Sequence, residues 1–398
     1  MKEVYLETWQ LPRELELLLK LCLRRGAEIP EGLDWNYFDR LVSQHRVQPL
    51  LIRGIRQYGA ELPGELSKYK AMQSRFVASS MARLQALHSV NAAFSDGGIR
   101  LFSMKGPLLS VELYGDPSLR TSRDLDLMVA GEDLARAGEI LRSMGYQPEE
   151  HITTATLRRR RFLQRIENEK HEVYNRGDIC LELHWKGGYQ TEESFDDLWS
   201  RREERQLMGR PIAVLGRDDR YSALIIHAAE HGFMRLRWLL DLYELRRKPG
   251  FDWGHVYGLM AEQGIGEIAI LALLVMHRLG LPGLEDTVWE GFRLTREASG
   301  IRVEAAREED VHKAIALCDR VLPLLLHERR PADPEWKAYD RLLPNAVYGR
   351  TKWQWLLAFL GPTRYEYELI DLPDSLFWMY FLIRPVNWLV RRLFGGRK

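Results

Sequence analysis

The chain is 398 residues long, 45% apolar and 28% charged, with a formal net charge of +1. That leaves room for two or three globular domains and excludes both a disordered, highly charged chain and a global basic field for nucleic acid; any basic site has to be local. Three scattered cysteines, Cys22, Cys180 and Cys318, argue against a disulfide framework and fit a reducing, cytoplasmic setting. The N-terminus carries no secretory pattern, and no stretch reaches the eighteen or so apolar residues that cross a bilayer.

Residues 1–95 read as helices. In LPRELELLLKLCLRRG the apolar Leu15, Leu18, Leu19 and Cys22 share one stripe, and Gly26 is a stop. LDWNYFDRLVSQHRVQPLLIRGIRQYG and YKAMQSRFVASSMARLQALHSVNAAFSDGG repeat that spacing. The pattern changes over 96–215. GIRLFSMKGP reads as a short strand ending at Gly106–Pro107, with a short helix through Leu113. DLDLMVAG reads as a strand, EDLARAGEILRSMGY as a helix, and HEVYNRGDICLELHW as a hairpin turning at Arg176–Gly177. Strands alternating with helices predict a small mixed α/β core, in a chain that is α+β overall, with helical regions at 1–95 and 216–398.

Within RTSRDLDLMV, period-two alternation sends Leu125, Leu127 and Val129 to one face and Asp124, Asp126 and Met128 to the other. Two carboxylates side by side repel unless a proton or a cation sits between them. A hard divalent cation, Mg²⁺ or Mn²⁺, takes such oxygen ligands together with substrate phosphates. Upstream, the turn in FSMKGP can offer backbone N–H groups to a phosphate, with Lys105 beside Gly106 as a point charge; a solvated lysine is the plainer reading. Arg120, Ser122 and Arg123 add donors suited to a triphosphate. Downstream, ICLELHW places Glu182 and His184 on one face, and a turn at Arg176–Gly177 sets His171 opposite Glu182. A water-facing glutamate on an edge strand is the alternative. Together these groups describe a two-metal site for phosphoryl transfer.

In their order, FSMKGPLLSVELYGDPSLRTSRDLDLMV, LELHW and IIHAAEHGFMRLRWLLDLYEL resemble the uncharacterised nucleotidyltransferases of the DNA polymerase beta-like superfamily, over most of the chain up to about residue 280. The resemblance implies a minimal nucleotidyltransferase fold, with Asp124 and Asp126 as the metal aspartates and Glu182 as the third carboxylate. It also implies Lys105–Gly106 at the phosphate turn, Mg²⁺ or Mn²⁺ as cofactor, and an NTP donor whose nucleoside monophosphate is transferred with loss of pyrophosphate. The superfamily usually has Gly-Ser or Gly-Gly where this chain has KGP. The acceptor is left open between a small molecule, a peptide, an RNA and a protein. Transfer of a sugar from a nucleotide-sugar and a non-catalytic nucleotide-binding module are the alternatives. His171 and His184 are candidate proton handlers, with hydrogen-bonded structural histidines as the plainer reading.

Three further signals stand apart. HAAEH at 227–231 fits the H-x-x-E-H pattern of zinc hydrolases, with His227 and His231 as ligands and Glu230 as base. No third ligand is marked downstream, and the same helix face, with Arg235, Arg237 and Asp241 further on, can instead close over the nucleotide site or simply pack. RRRR at 158–161 reads as a phosphate contact or as a solvated helix face. DSLFWMYFLIRPVNWLVRRLFGGRK is aromatic and ends basic, interrupted by Arg384 and Pro385. A helix docked on the body is expected there, with peripheral membrane contact by 375–398 as the second reading.

Overall fold

The computed structural model describes residues 8–26, 28–56, 63–149, 157, 161, 170–186, 194–249, 251–281, 307–326 and 361–394. Helix Arg13–Cys22 begins after Pro12, with Glu14 and Glu16 in its first turn and Lys20 in its last, each charge favourable to the helix dipole. Helix Trp35–His45 is capped by Asp34, whose carboxylate accepts from the Tyr37 N–H at 2.9 Å. The apolar faces of these helices join those of Leu236–Arg246 and Gly266–Arg278, so Leu18, Leu41, Leu239 and Leu271 lie in one buried cluster.

The middle of the chain forms a mixed seven-stranded sheet in the order β3-β4-β5-β2-β1-β7-β6, which makes the fold α+β. Its strands are β1 (Phe102–Ser103), β2 (Asp124–Met128), β3 (Gln147–Pro148), β4 (His171–Arg176), β5 (Ile179–His184), β6 (Glu203–Leu207) and β7 (Arg210–Val214). β2 runs parallel to β5 and β1 parallel to β7; the remaining pairs are antiparallel. On one face Leu125, Leu127, Leu181 and Leu183 pack against Leu87, Val90 and Phe94 of helix Gln73–Asp96 and against Leu141 of helix Leu134–Ser143. On the other, Phe102, Met128 and Ala213 pack with Leu198 and Leu215. The expected alternation along β2 therefore holds, and it leaves Asp124 and Asp126 on the face that the two long helices do not cover.

The β4–β5 hairpin differs from its expected register. Arg176 pairs with Ile179, so the turn residues are Gly177, at φ +55°, and Asp178. Opposite His171 stands His184, and opposite Glu182 stands Val173. The shift moves the partner by two residues, which preserves the face; a shift of one would have turned His171 away from the carboxylates. The β6–β7 hairpin, which alternation alone does not mark, is closed by Met208 and Gly209, both at positive φ (49° and 81°), as a two-residue hairpin turn requires.

His45 ties the helical regions together. It is fully buried, and its Nδ1 accepts from the Leu236 N–H at 3.3 Å. Burial, opposed by a backbone contact at Met234 and reinforced by Arg235, lowers its pKa from 6.5 to about 3. The unfolded chain then binds the proton and the folded chain does not. Stability is fully present above pH 6.5 and falls as the pH drops from there toward 3. Urea midpoints at pH 7 and pH 5 are expected to show this loss, and His45→Gln is expected to shrink the difference by about 1–2 kcal/mol.

Of the four arginines at 158–161, only Arg161 lies among the described residues, where it pairs with Asp371. The C-terminal helix Tyr380–Phe394 is held at Glu366 through Arg384 and Asn387, and of its apolar residues Phe381, Leu382, Val386, Leu389 and Val390 are exposed. No helix among the described residues is long and apolar enough to cross a membrane.

Candidate active site

Parallel pairing of β2 with β5 puts Asp126 directly beside Glu182 and Met128 beside His184, while Asp124 faces Cys180. The ligand atoms of Asp126, Glu182 and His184 lie within 4.8 Å of one another; Asp124, one pleat away, is not part of that close group. Like charges opposed on neighbouring strands are destabilising without a counter-charge, and the protein supplies two. Lys105 Nζ is 3.2 Å from Asp126 Oδ1, and His184 Nε2 is 3.3 Å from Glu182 Oε2 and 3.6 Å from Asp126 Oδ1.

The environments drive these groups apart. Burial raises the Asp126 pKa, but Lys105, His184 and His227 outweigh it and hold this carboxyl well below its usual range. Asp124 moves up, through burial and then the charges of Asp126 and Glu182. Burial disfavours a charged His184, yet its contacts with Asp126 and Glu182 prevail and its pKa rises. The His171 ring lies 5.0 Å from that of His184, and its pKa is lowered by burial and by His184. Its Nδ1 is buried with no hydrogen-bond partner among the described residues.

A dication fits this donor set. Two carboxylate oxygens suit Mg²⁺ or Mn²⁺, and the His184 Nε2, buried without an aligned hydrogen bond between the same carboxylates, marks a place built for positive charge. Cation binding there would release the His184 proton.

Lys105 precedes helix Gly106–Tyr114, where Gly106 takes φ +78°, a conformation that favours glycine. Its ammonium also lies 3.3 Å from His227 Nδ1, so the end of helix Arg217–Glu230 closes onto the site. Ser122 donates its hydroxyl to the Asp124 carbonyl, which fixes the start of β2, and Arg123 is exposed beside it.

Arg120 is placed differently from the sequence expectation. Its Nε donates to Asp241 Oδ2 at 2.7 Å, both side chains are 2% exposed or less, and Asp241 also accepts from Tyr114 at 2.8 Å. A guanidinium so committed positions the loop before β2 and is not free to grip a triphosphate. Arg46 was not legible as a site residue. The left-handed C-cap of Trp35–His45 puts it there, its carbonyl accepting from Thr121. Its pKa falls to about 10 through burial, then Arg235 and Arg123, with Asp124 opposing. Arg237, anchored on the Thr121 carbonyl, falls to about 9 through burial and Arg120 and also feels Asp124. Two cationic groupings thus flank the carboxylates: Lys105 at Asp126, and guanidiniums toward Asp124.

The HAAEH group also assembles, with the ligand atoms of His227, Glu230 and His231 within 4.8 Å. Lys105 engages His227, Lys170 Nζ lies 3.5 Å from Glu230, and His231 stacks on Trp238 at 5.1 Å.

A family model described as uncharacterised nucleotidyltransferase matches residues 31–280. The chain belongs to that family. Nucleotidyltransferases act on an NTP donor and generally use divalent metals, which agrees with the donor set of this uncharacterised nucleotidyltransferase. None of the curated proteins matches it. Two solved structures of the antibiotic-resistance factor ANT(2″)-Ia are similar to it. The solution structure has 14% identity over 46% of this chain and 92% of that one, with a TM-score of 0.35. The crystal structure with adenylyl-2″-tobramycin has 15% identity over 46% and 96%, with a TM-score of 0.34.

Proposed function

We propose that this nucleotidyltransferase moves a nucleoside monophosphate from an NTP to an acceptor hydroxyl, using Asp124, Asp126 and Glu182. The observation that carries the reading is the parallel register that sets Asp126 against Glu182, with Lys105 Nζ 3.2 Å from Asp126. In this reading the three carboxylates hold Mg²⁺ or Mn²⁺. Such ions, when bound, neutralise phosphate charge and acidify a hydroxyl.

The chain's own groups do the rest. Lys105 and the guanidiniums of Arg46 and Arg123 hold the donor's phosphates, so that the acceptor oxygen attacks the α-phosphorus in line and pyrophosphate leaves. Arg120 acts through Asp241 to position the loop that carries Ser122 and Arg123. His171, neutral and beside His184, accepts the proton released by the acceptor. Catalysis of this kind is mainly positioning and charge stabilisation. The acceptor class stays open between a small molecule, a peptide, an RNA and a protein.

Calorimetric titration of the four NTPs with Mg²⁺ tests the donor site. Metal-dependent binding of at least one NTP is expected, weakened about a hundredfold or more (about 2.7 kcal/mol) in Asp124→Ala/Asp126→Ala. No heat from any NTP with the wild type would overturn the reading and direct the search to a nucleotide-sugar donor.

A further inference from the structure

Helix Tyr380–Phe394 is amphipathic but inside out. Among its described side chains, Tyr380, Arg384 and Asn387 bond inward. The Tyr380 hydroxyl donates to the Ile370 carbonyl at 2.6 Å, Asn387 Nδ2 donates to Glu366 Oε1 at 2.6 Å, and Arg384 lies 3.4 Å from the same oxygen. Positions 380, 384 and 387 form one helical stripe, and fully buried Glu366, on helix Arg364–Leu369, is its anchor. The opposite stripe is apolar and exposed: Leu382 at 63%, Val386 at 62%, Leu389 at 50% and Val390 at 48%. Trp378 (57%) and Leu369 (61%) extend it beyond the helix. Between them lies an open groove of about 400 Å³, lined by Leu369, Met379, Leu382, Ile383, Val386 and Val390 among others.

We propose that this stripe is a membrane-surface contact, on which helix Tyr380–Phe394 lies in the plane of an anionic lipid interface. A helix held by its polar side presents its apolar side by construction; contiguous exposed apolar area of this kind marks an interaction site. Charge selects the occupant. Apart from Arg384, which Glu366 holds inward, residues 375–398 contain Arg391, Arg392, Arg397 and Lys398 and no acidic residue. Basic residues flanking an apolar helix face, with tryptophan and phenylalanine at its edge, are the pattern of an interfacial helix drawn to acidic headgroups. A second copy of the chain would bring a second set of like charges against the first. The segment lies on the lipid and does not span it, since Arg384 and Pro385 interrupt the apolar run.

Co-sedimentation of the full chain with vesicles tests this, comparing pure phosphatidylcholine with a mixture containing roughly one third phosphatidylglycerol. The wild type is expected to partition onto the acidic vesicles at least about tenfold better than onto the neutral ones, with a blue shift of tryptophan emission. Leu382→Glu/Val386→Glu changes only exposed positions, and is expected to lose that binding about tenfold or more while keeping the wild-type melting transition. Absence of binding to acidic vesicles, or equal binding by the variant, overturns the proposal. A wild-type dimer that the variant converts to monomer, without vesicle binding, overturns it in favour of a second copy.

Discussion

Glu182→Gln is expected to lower transfer at least about a thousandfold, close to 4 kcal/mol of barrier, while NTP binding changes by no more than a few-fold. The side chain keeps its size and its place on β5, opposite Asp126. What it loses is the charge that completes the carboxylate group. Asp124 and Asp126, with Lys105 beside them, still retain the donor. Loss of kcat with donor affinity preserved is the signature of an interaction made in the transition state. Pyrophosphate release from the NTP reads kcat, and calorimetry reads the affinity. A non-catalytic binding module would show no release in the wild type to begin with. Unchanged release in the variant would remove Glu182 from the mechanism. The variant also gives up the charge that pairs with His184 at 3.3 Å, which holds the Glu182 carboxyl below its usual range, so a modest loss of thermal stability is expected beside the loss of transfer.

Asp241→Ala is expected to destabilise the fold by about 3–5 kcal/mol, because it strands the buried Arg120 guanidinium without its counter-ion and leaves the Tyr114 hydroxyl unpaired. Arg237, already crowded by Arg120, loses the same compensating charge. Replacing both partners, Arg120→Met with Asp241→Leu, is expected to recover most of the loss, since an apolar pair of similar volume carries no stranded charge. Urea unfolding of the two variants and the wild type measures both quantities. A loss below about 1 kcal/mol in the single variant would show that water or a neighbour replaces Asp241. The double variant is expected to fold yet bind NTP poorly, because the loop through Ser122 and Arg123 loses the tether that aligns it with β2.

Local chemistry was legible where a side chain's role follows from its own strand. Alternation in DLDLMV and LELH placed the carboxylates on one face without any tertiary information, and the family resemblance fixed their order. Pairing was not legible in this way. The His171 partner depended on where a hairpin turned, and Gly177–Asp178 competes closely with Arg176–Gly177 as a turn. Arg120 and Arg123 sit at either end of one short run with the same charge, and only burial separates a structural ion pair from an exposed cation. Arg46 carries no local signal at all; it reaches the site through a left-handed helix end and a Thr121 contact 75 residues away. The C-terminal segment was legible as aromatic with a basic end, but which side of its helix faced the protein depended on Glu366, a residue outside the segment.

The strand order has a consequence for synthesis. β1 finds β2 soon after it is made, but its other edge is closed only by β7, where Phe102 meets Ala213 about 110 residues later. At about 5–20 residues per second, a ribosome leaves that edge open for roughly ten seconds. For about half of the same interval Asp124 and Asp126 wait for Glu182. The nascent chain thus carries an unpaired strand beside an uncompensated pair of charges, and the charges repel a second nascent chain from the edge that would otherwise template aggregation.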